Sequence, residues 1–155
     1  MDVLRFAGNV LWFVIGGVIA GLMWYLAGLI AAATIVGLPW AFACFRLGNY
    51  TFFPFGRELV PVTHLTGRDQ GAMGPLRLIG NIIWFVPLGF ALMVVHLIAA
   101  VLWFATIVGI PFGFAHLKLA QASVFPLGKR IVSTDVAALA RQHNAANTFA
   151  SARSR

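Results

Sequence analysis

An all-helical integral membrane protein made of two tandem homologous repeats is the fold class this sequence predicts. Three observations predict it. The stretches between Arg5 and Arg46 and between Arg77 and Lys118 hold forty residues each and no Asp, Glu, Lys or Arg. Leu4–Val60 aligns with Leu76–Val132 without a gap at a shift of 72, and 22 of the 57 pairs are identical. Both copies break the apolar run with one phrase, Thr34-Ile-Val-Gly-Leu-Pro39 and Thr106-Ile-Val-Gly-Ile-Pro111. Both then close it with Phe53-Pro-Phe-Gly-Arg57 and Phe125-Pro-Leu-Gly-Lys129.

Composition supports the class. Of 155 residues, 61% are hydrophobic and 10% charged, more apolar surface than a soluble domain of this size can bury. Uncharged apolar runs longer than about 18 residues read as membrane segments. A gapless duplication of this length predicts that both halves fold as one unit. The expected division is repeat 1 over 1–60, a cytoplasmic linker over 61–75, repeat 2 over 76–132 and a cytoplasmic tail over 133–155. The apolar N-terminus is too long for a signal peptide and recurs internally as Leu76–Trp84, so it reads as mature structure.

Each repeat must fit its run into the bilayer. Forty residues in one straight helix reach about 60 Å, against a hydrocarbon core of about 30 Å. Two crossings per repeat fit, giving four membrane-crossing helical segments. The alternative is two long tilted helices, each followed by a re-entrant or interfacial helix. A hairpin turn near 25–28 and 97–100 suits the amphipathic rings of Trp24, Tyr25 and His96 at an interface. The Gly37-x-Pro39 and Gly109-x-Pro111 breaks compete for the same role.

Net charge is +7, yet all cations flank the apolar runs and none interleaves with exposed aromatics. That pattern excludes nucleic acid and points to anionic lipid headgroups. Two crossings per repeat put both termini and the linker in the cytoplasm. Arg46, Arg57, Lys118, Lys129 and Arg130 are the candidate lipid-facing cations. Arg46, Asn49 and Tyr50 share one helical stripe suited to the membrane–water boundary. Phe53-Pro54-Phe55-Gly56 predicts a type I turn, Ser133-Thr134-Asp135 predicts a helix N-cap, and Asn147–Arg155 is expected to fray.

Four groups are candidates for function. Thr34, Gly37, Pro39, Thr106, Gly109 and Pro111 form paired helix breaks, which in duplicated transporters mark a substrate or ion path; the same residues serve equally as turns. Gly17, Gly21 and Gly28 form a small face for helix packing, chiefly within the subunit. His96 aligns with Trp24, which favours an interfacial anchor over a ligand. His116 aligns with Cys44, so the halves share no metal ligand, and neither metal nor cofactor is expected. The carboxylates Asp2, Glu58, Asp69 and Asp135 are scattered, and no catalytic cluster is visible; an enzyme is not expected.

The elements Gly-Asn-x-x-Trp, Gly-x-Pro and Phe-Pro-x-Gly-Arg, duplicated in order, resemble the YccF-type bacterial inner-membrane proteins over about residues 3 to 135. Ile107–Lys118 and Phe125–Arg130 carry the resemblance most strongly. It implies a small multi-pass inner-membrane protein with a cytoplasmic C-terminus, and carries over no substrate or catalytic residue. Two functional readings follow. One is a homo-oligomeric permeation or transport protein using the paired breaks. The other is a structural or accessory protein that binds a membrane partner or anionic lipid.

Overall fold

The computed structural model describes residues 3–66 and 73–153. Asp2, Asp69 and the middle of the expected linker lie outside the described residues. A long helix α1 (Val3–Ala32) is followed by α2 (Leu38–Phe52), strand β1 (Arg57–Pro61) and a short α3 (Val62–Thr66). The second repeat follows the same order as α4 (Gly74–Phe104), α5 (Ile110–Val124) and β2 (Lys129–Ser133). A C-terminal helix α6 (Thr134–Arg153) completes the chain.

Among the described residues two helices, α1 with 30 residues and α4 with 31, are long and apolar enough to cross a membrane. The 15-residue α2 and α5 each rise about 22 Å and fall short of the hydrocarbon core. Long helices each followed by a shorter one match the second arrangement considered above.

The hairpin turns at the Gly-x-Pro breaks. Trp24–Gly28 and Leu97–Ala100 continue as helix, which corrects the turn expected there: nothing at those positions disturbs the ladder of backbone bonds. At the break, Thr34 leaves the helical conformation (φ −109°, ψ 133°) and its Oγ1 accepts from Gly37 N at 3.0 Å. Thr106 and Gly109 repeat this at 3.0 Å. Pro39 and Pro111 stand in the first turn of the following helix, where a missing N–H is harmless. A Cβ on Gly37 would collide with the Ala31 carbonyl, so glycine is required.

β1 and β2 pair antiparallel, with Leu59 opposite Ile131 and Arg57 opposite Ser133. This sheet was not expected. Gly56 (φ +88°) and Gly128 (φ +87°) enter it through left-handed turns. Arg57 N donates to Pro54 O at 3.2 Å, so the turn runs one residue later than expected, with Gly56 at its third position as in a type II turn. α6 runs helical to Arg153 instead of fraying from Asn147, and Val136 N donates to Ser133 Oγ at its start.

The two repeats pack antiparallel. At one end Ile30 and Ala31 of α1 share a cleft with Ile83 and Trp84 near the start of α4. At the other, Trp103 near the end of α4 lies against Gly16. Between them Trp24 meets His96, its equivalent at the 72-residue shift. α1 and α4 therefore run antiparallel, and a pseudo-twofold axis passes through Trp24/His96 and Leu59/Ile131. One core packs Trp24, Ala31, Cys44 and Leu47 with Trp84 and Leu92. Another packs Trp12 and Tyr50 with Phe112 and Leu119. Both cores draw on both repeats, so the halves form one unit.

Candidate functional site

The repeated Gly-Asn-x-x-Trp phrase clamps each hairpin. Asn9 Nδ2 donates to Phe55 O at 3.0 Å, and Phe55 N donates to Asn9 Oδ1 at 3.0 Å. An asparagine amide offers one donor and one acceptor side, which suits a lone turn residue outside any ladder. Asn81 holds Leu127 in the same way, at 3.4 and 3.0 Å. Trp12 Nε1 donates to Thr51 O at 2.6 Å and Trp84 Nε1 to Ser123 O at 2.9 Å. These carbonyls belong to the last turns of α2 and α5, which have no intrahelical donor.

Reaching them requires a local distortion. Phe13–Gly17 and Phe85–Gly89 each form a π-helical turn, a widening common at functional positions. A Cβ on Gly17 would stand 2.6 Å from the Trp12 ring, and one on Gly89 would stand 2.7 Å from Trp84 Nε1. The Trp-x4-Gly spacing in both halves matches the i to i+5 period and was the available sequence signal. Gly17 thus accommodates its own tryptophan. Gly21 accommodates Phe52, and Gly28 faces Phe45 and Cys44. All three contacts are within the subunit.

The axis holds the buried polar centre. Trp24 Nε1 donates to His96 Nε2 at 3.1 Å, and His96 Nδ1 meets His116 Nδ1 at 3.1 Å. Because His96 Nε2 accepts from the indole, the His96 proton sits on Nδ1 and His116 Nδ1 accepts it. The result is a directed Trp24–His96–His116 chain, with the His116 ring 5.0 Å from that of Trp12. His96 is 1% exposed, which corrects its reading as an interfacial anchor. Sequence reasoning could not join residues twenty apart on different helices. Cys44, the counterpart of His116, is buried. Among the described residues no three His, Cys, Asp or Glu gather as metal ligands.

The paired breaks do not meet. The antiparallel packing carries them to opposite ends of the molecule, and their tips are apolar: Ile35 and Ile107 are each 87% exposed. Their threonine hydroxyls are engaged locally, donating to Ala31 O and Trp103 O. Thr34 and Gly37 do line an apolar cleft of about 300 Å³ with Trp40 and Trp84.

Charge collects on the sheet side. Arg57, Glu58, Lys129 and Arg130 lie on the strands, and Arg46 shares a groove with Lys129 and Arg130. Arg5 and Arg77 pack against Gly56 and Gly128 beside those strands. Lys118 is exposed on α5. The Arg46 stripe divides: Arg46 is exposed, Asn49 accepts from Tyr25 OH at 2.8 Å, and Tyr50 is buried. Away from the sheet, Ile19, Leu22, Leu26 and Leu29 of α1 and Phe90, Ile98, Val101 and Leu102 of α4 are exposed.

These features define a class: a duplicated helical membrane protein whose two repeats pack antiparallel about a pseudo-twofold axis, with one apolar and one cationic side. The inner membrane component domain family, YccF, matches the chain twice, over residues 7–57 and 79–129. The chain is also 31% identical over 147 residues to the inner membrane protein YccF of Escherichia coli (strain K12), covering 94% of this chain and 99% of that protein. The Shigella flexneri protein of the same name matches at the same identity and coverage. The chain belongs to the YccF family and is an inner-membrane protein. No solved structure matches it.

Proposed function

We propose that this protein is a non-catalytic accessory component of the inner membrane that embeds its long helices at a strong tilt and turns its sheet side to anionic headgroups of the cytoplasmic leaflet. The separation of charge carries this reading. All charged residues lie outside 6–45 and 78–117, and the antiparallel packing of the repeats brings those of the two strands together on the sheet, away from the exposed apolar residues of α1 and α4.

The backbone supports the same orientation. A two-stranded sheet leaves N–H and C=O groups on its outer edges, which hydrocarbon cannot satisfy. Upright long helices would carry the sheet and the polar α6 along the membrane normal. A strong tilt keeps them with the headgroups and leaves both apolar break tips in lipid. It also keeps both termini on one side, as the flanking cations favour.

Polarised infrared spectroscopy of the protein in oriented bilayers tests this. Amide I dichroism of strongly tilted helices is expected; the dichroism of an upright bundle would sink the proposal. The permeation reading keeps one specific observation in its favour, the buried Trp24–His96–His116 chain on the axis. Proton flux in liposomes that is lost in His116→Phe would revive it.

A further inference from the structure

The apolar cleft at the break of the first hairpin is a built feature of one repeat. Ala31 of α1, Thr34 of the break, Trp40 of α2, and Trp84 and Leu88 of α4 are among the residues lining its 300 Å³ or so. Exposed Ile30, Val36 and Ile83 rim it. Its polar side chains are already engaged within the protein. Thr34 Oγ1 donates to Ala31 O at 3.0 Å, Trp40 Nε1 to Gly80 O at 3.1 Å and Trp84 Nε1 to Ser123 O at 2.9 Å. A polar occupant would find no side-chain partner there, and burying its unpaired groups would be costly. A hydrocarbon occupant carries no such penalty.

The duplication supplies an internal control. The 72-residue shift carries Ala31 onto Trp103, Trp40 onto Phe112 and Leu88 onto Gly16. At the second hairpin the Trp103 ring stands 5.1 Å from that of Phe112, and Phe112 is 2% exposed. Gly16 makes room for the indole: a Cβ there would already stand 3.9 Å from Trp103 Cζ2, so a leucine would run into the ring. The first hairpin reverses both choices, with alanine in place of the indole and leucine in place of glycine. One frame thus carries its own plug at one end and an open cleft at the other. Apolar space left empty forfeits dispersion contacts, and apolar cavities accept apolar guests.

We propose that this cleft holds one hydrocarbon chain of a membrane lipid, seated where the second repeat places the Trp103 indole. Lipid chains are the apolar groups that surround an inner-membrane protein, and packing alone recognises them. The headgroup is not read. The inference needs the inner-membrane location and stands whichever way the long helices tilt. Ile83 and Leu88 lie 6 and 11 residues beyond Arg77, about 9–16 Å along an upright α4 and so within hydrocarbon. A strong tilt leaves the break tip in lipid as well.

Native mass spectrometry of the full chain, supplied with phosphatidylglycerol or phosphatidylethanolamine of the same chain composition, tests it. One lipid per chain is expected to survive the activation that strips the rest, with either headgroup. A31W with L88G copies the packing of the second repeat and is expected to lose that lipid. L88G alone should keep it, which separates plugging the cleft from disturbing the fold. W103A unplugs the opposite end and is expected to raise retention to two. Retention by A31W with L88G equal to that of L88G alone would overturn the site. Retention of phosphatidylglycerol only would overturn it too, and would assign the bound lipid to the general cationic attraction. Conversion of a dimer to a monomer by A31W with L88G would reassign the cleft to a second copy of the chain.

Discussion

The two repeats differ where their side chains serve different tasks and agree where they hold the hairpin. Asn9 and Asn81, Trp12 and Trp84, Gly17 and Gly89, and Thr34 and Thr106 are identical pairs. Each pair makes the same clamp, π-turn or cap in both halves. The unlike pairs fall elsewhere: Trp24 with His96, Cys44 with His116, and Glu58 with Arg130. The first two lie at or near the axis, where a contact between identical residues would require one chemistry to be its own partner. Tryptophan can only donate through its ring nitrogen, so a Trp–Trp contact at that point would leave both N–H groups unpaired. Placing histidine opposite supplies the acceptor. The comparison teaches that duplication built the frame and divergence made its centre and one groove asymmetric.

Removing the clamps should have the largest effect, and in both halves. Asn9→Leu leaves Phe55 N–H and C=O unpartnered and is expected to cost about 2–4 kcal/mol, read as thermal unfolding in detergent. Asn81→Leu should cost somewhat less, because its bond to Leu127 O is longer, at 3.4 Å. An effect confined to one repeat would break the claim that the frame is shared. Next come Trp12→Phe and Trp84→Phe, each expected to lose about 1–3 kcal/mol by leaving a buried carbonyl at a helix end unpaired. If either substitution is silent, the π-turns have another purpose. The smallest effect is the axial coupling. A double-mutant cycle between Trp24→Phe and His96→Phe should give about 0.5–1.5 kcal/mol of coupling, whereas Cys44→Ser with His96→Phe should be nearly additive.

Much of this frame was legible in the residues. The shift of 72 located both repeats, and the alternatives considered for each apolar run included a long helix followed by a shorter one. Gly-x-Pro was a recognised competitor for the turn, and its Thr and Pro act as cap and first-turn residue. The sheet was harder to see. Arg57–Pro61 and Lys129–Ser133 are five-residue segments that pair only with each other across most of the chain, and neither has the local hairpin turn that signals a strand pair. The antiparallel packing was invisible for a related reason: a repeat shift gives equivalence and no direction. Without it, His96 and His116 looked remote, and Arg46 had no reason to meet Lys129 and Arg130. Once the direction is known, the paired breaks lose their convergence and the cations gain theirs.

The central claim is that the pseudo-twofold axis stands along the membrane normal, with the sheet side on one surface. Single-cysteine accessibility on a Cys44→Ser background tests it most directly. Arg57→Cys and Arg130→Cys lie on different strands and should both label from the cytoplasmic side. Val36→Cys and Val108→Cys, at the opposite break tips, should both resist aqueous reagent from either side. Labelling of Val36→Cys from one surface and Val108→Cys from the other would contradict the account and set the long helices upright.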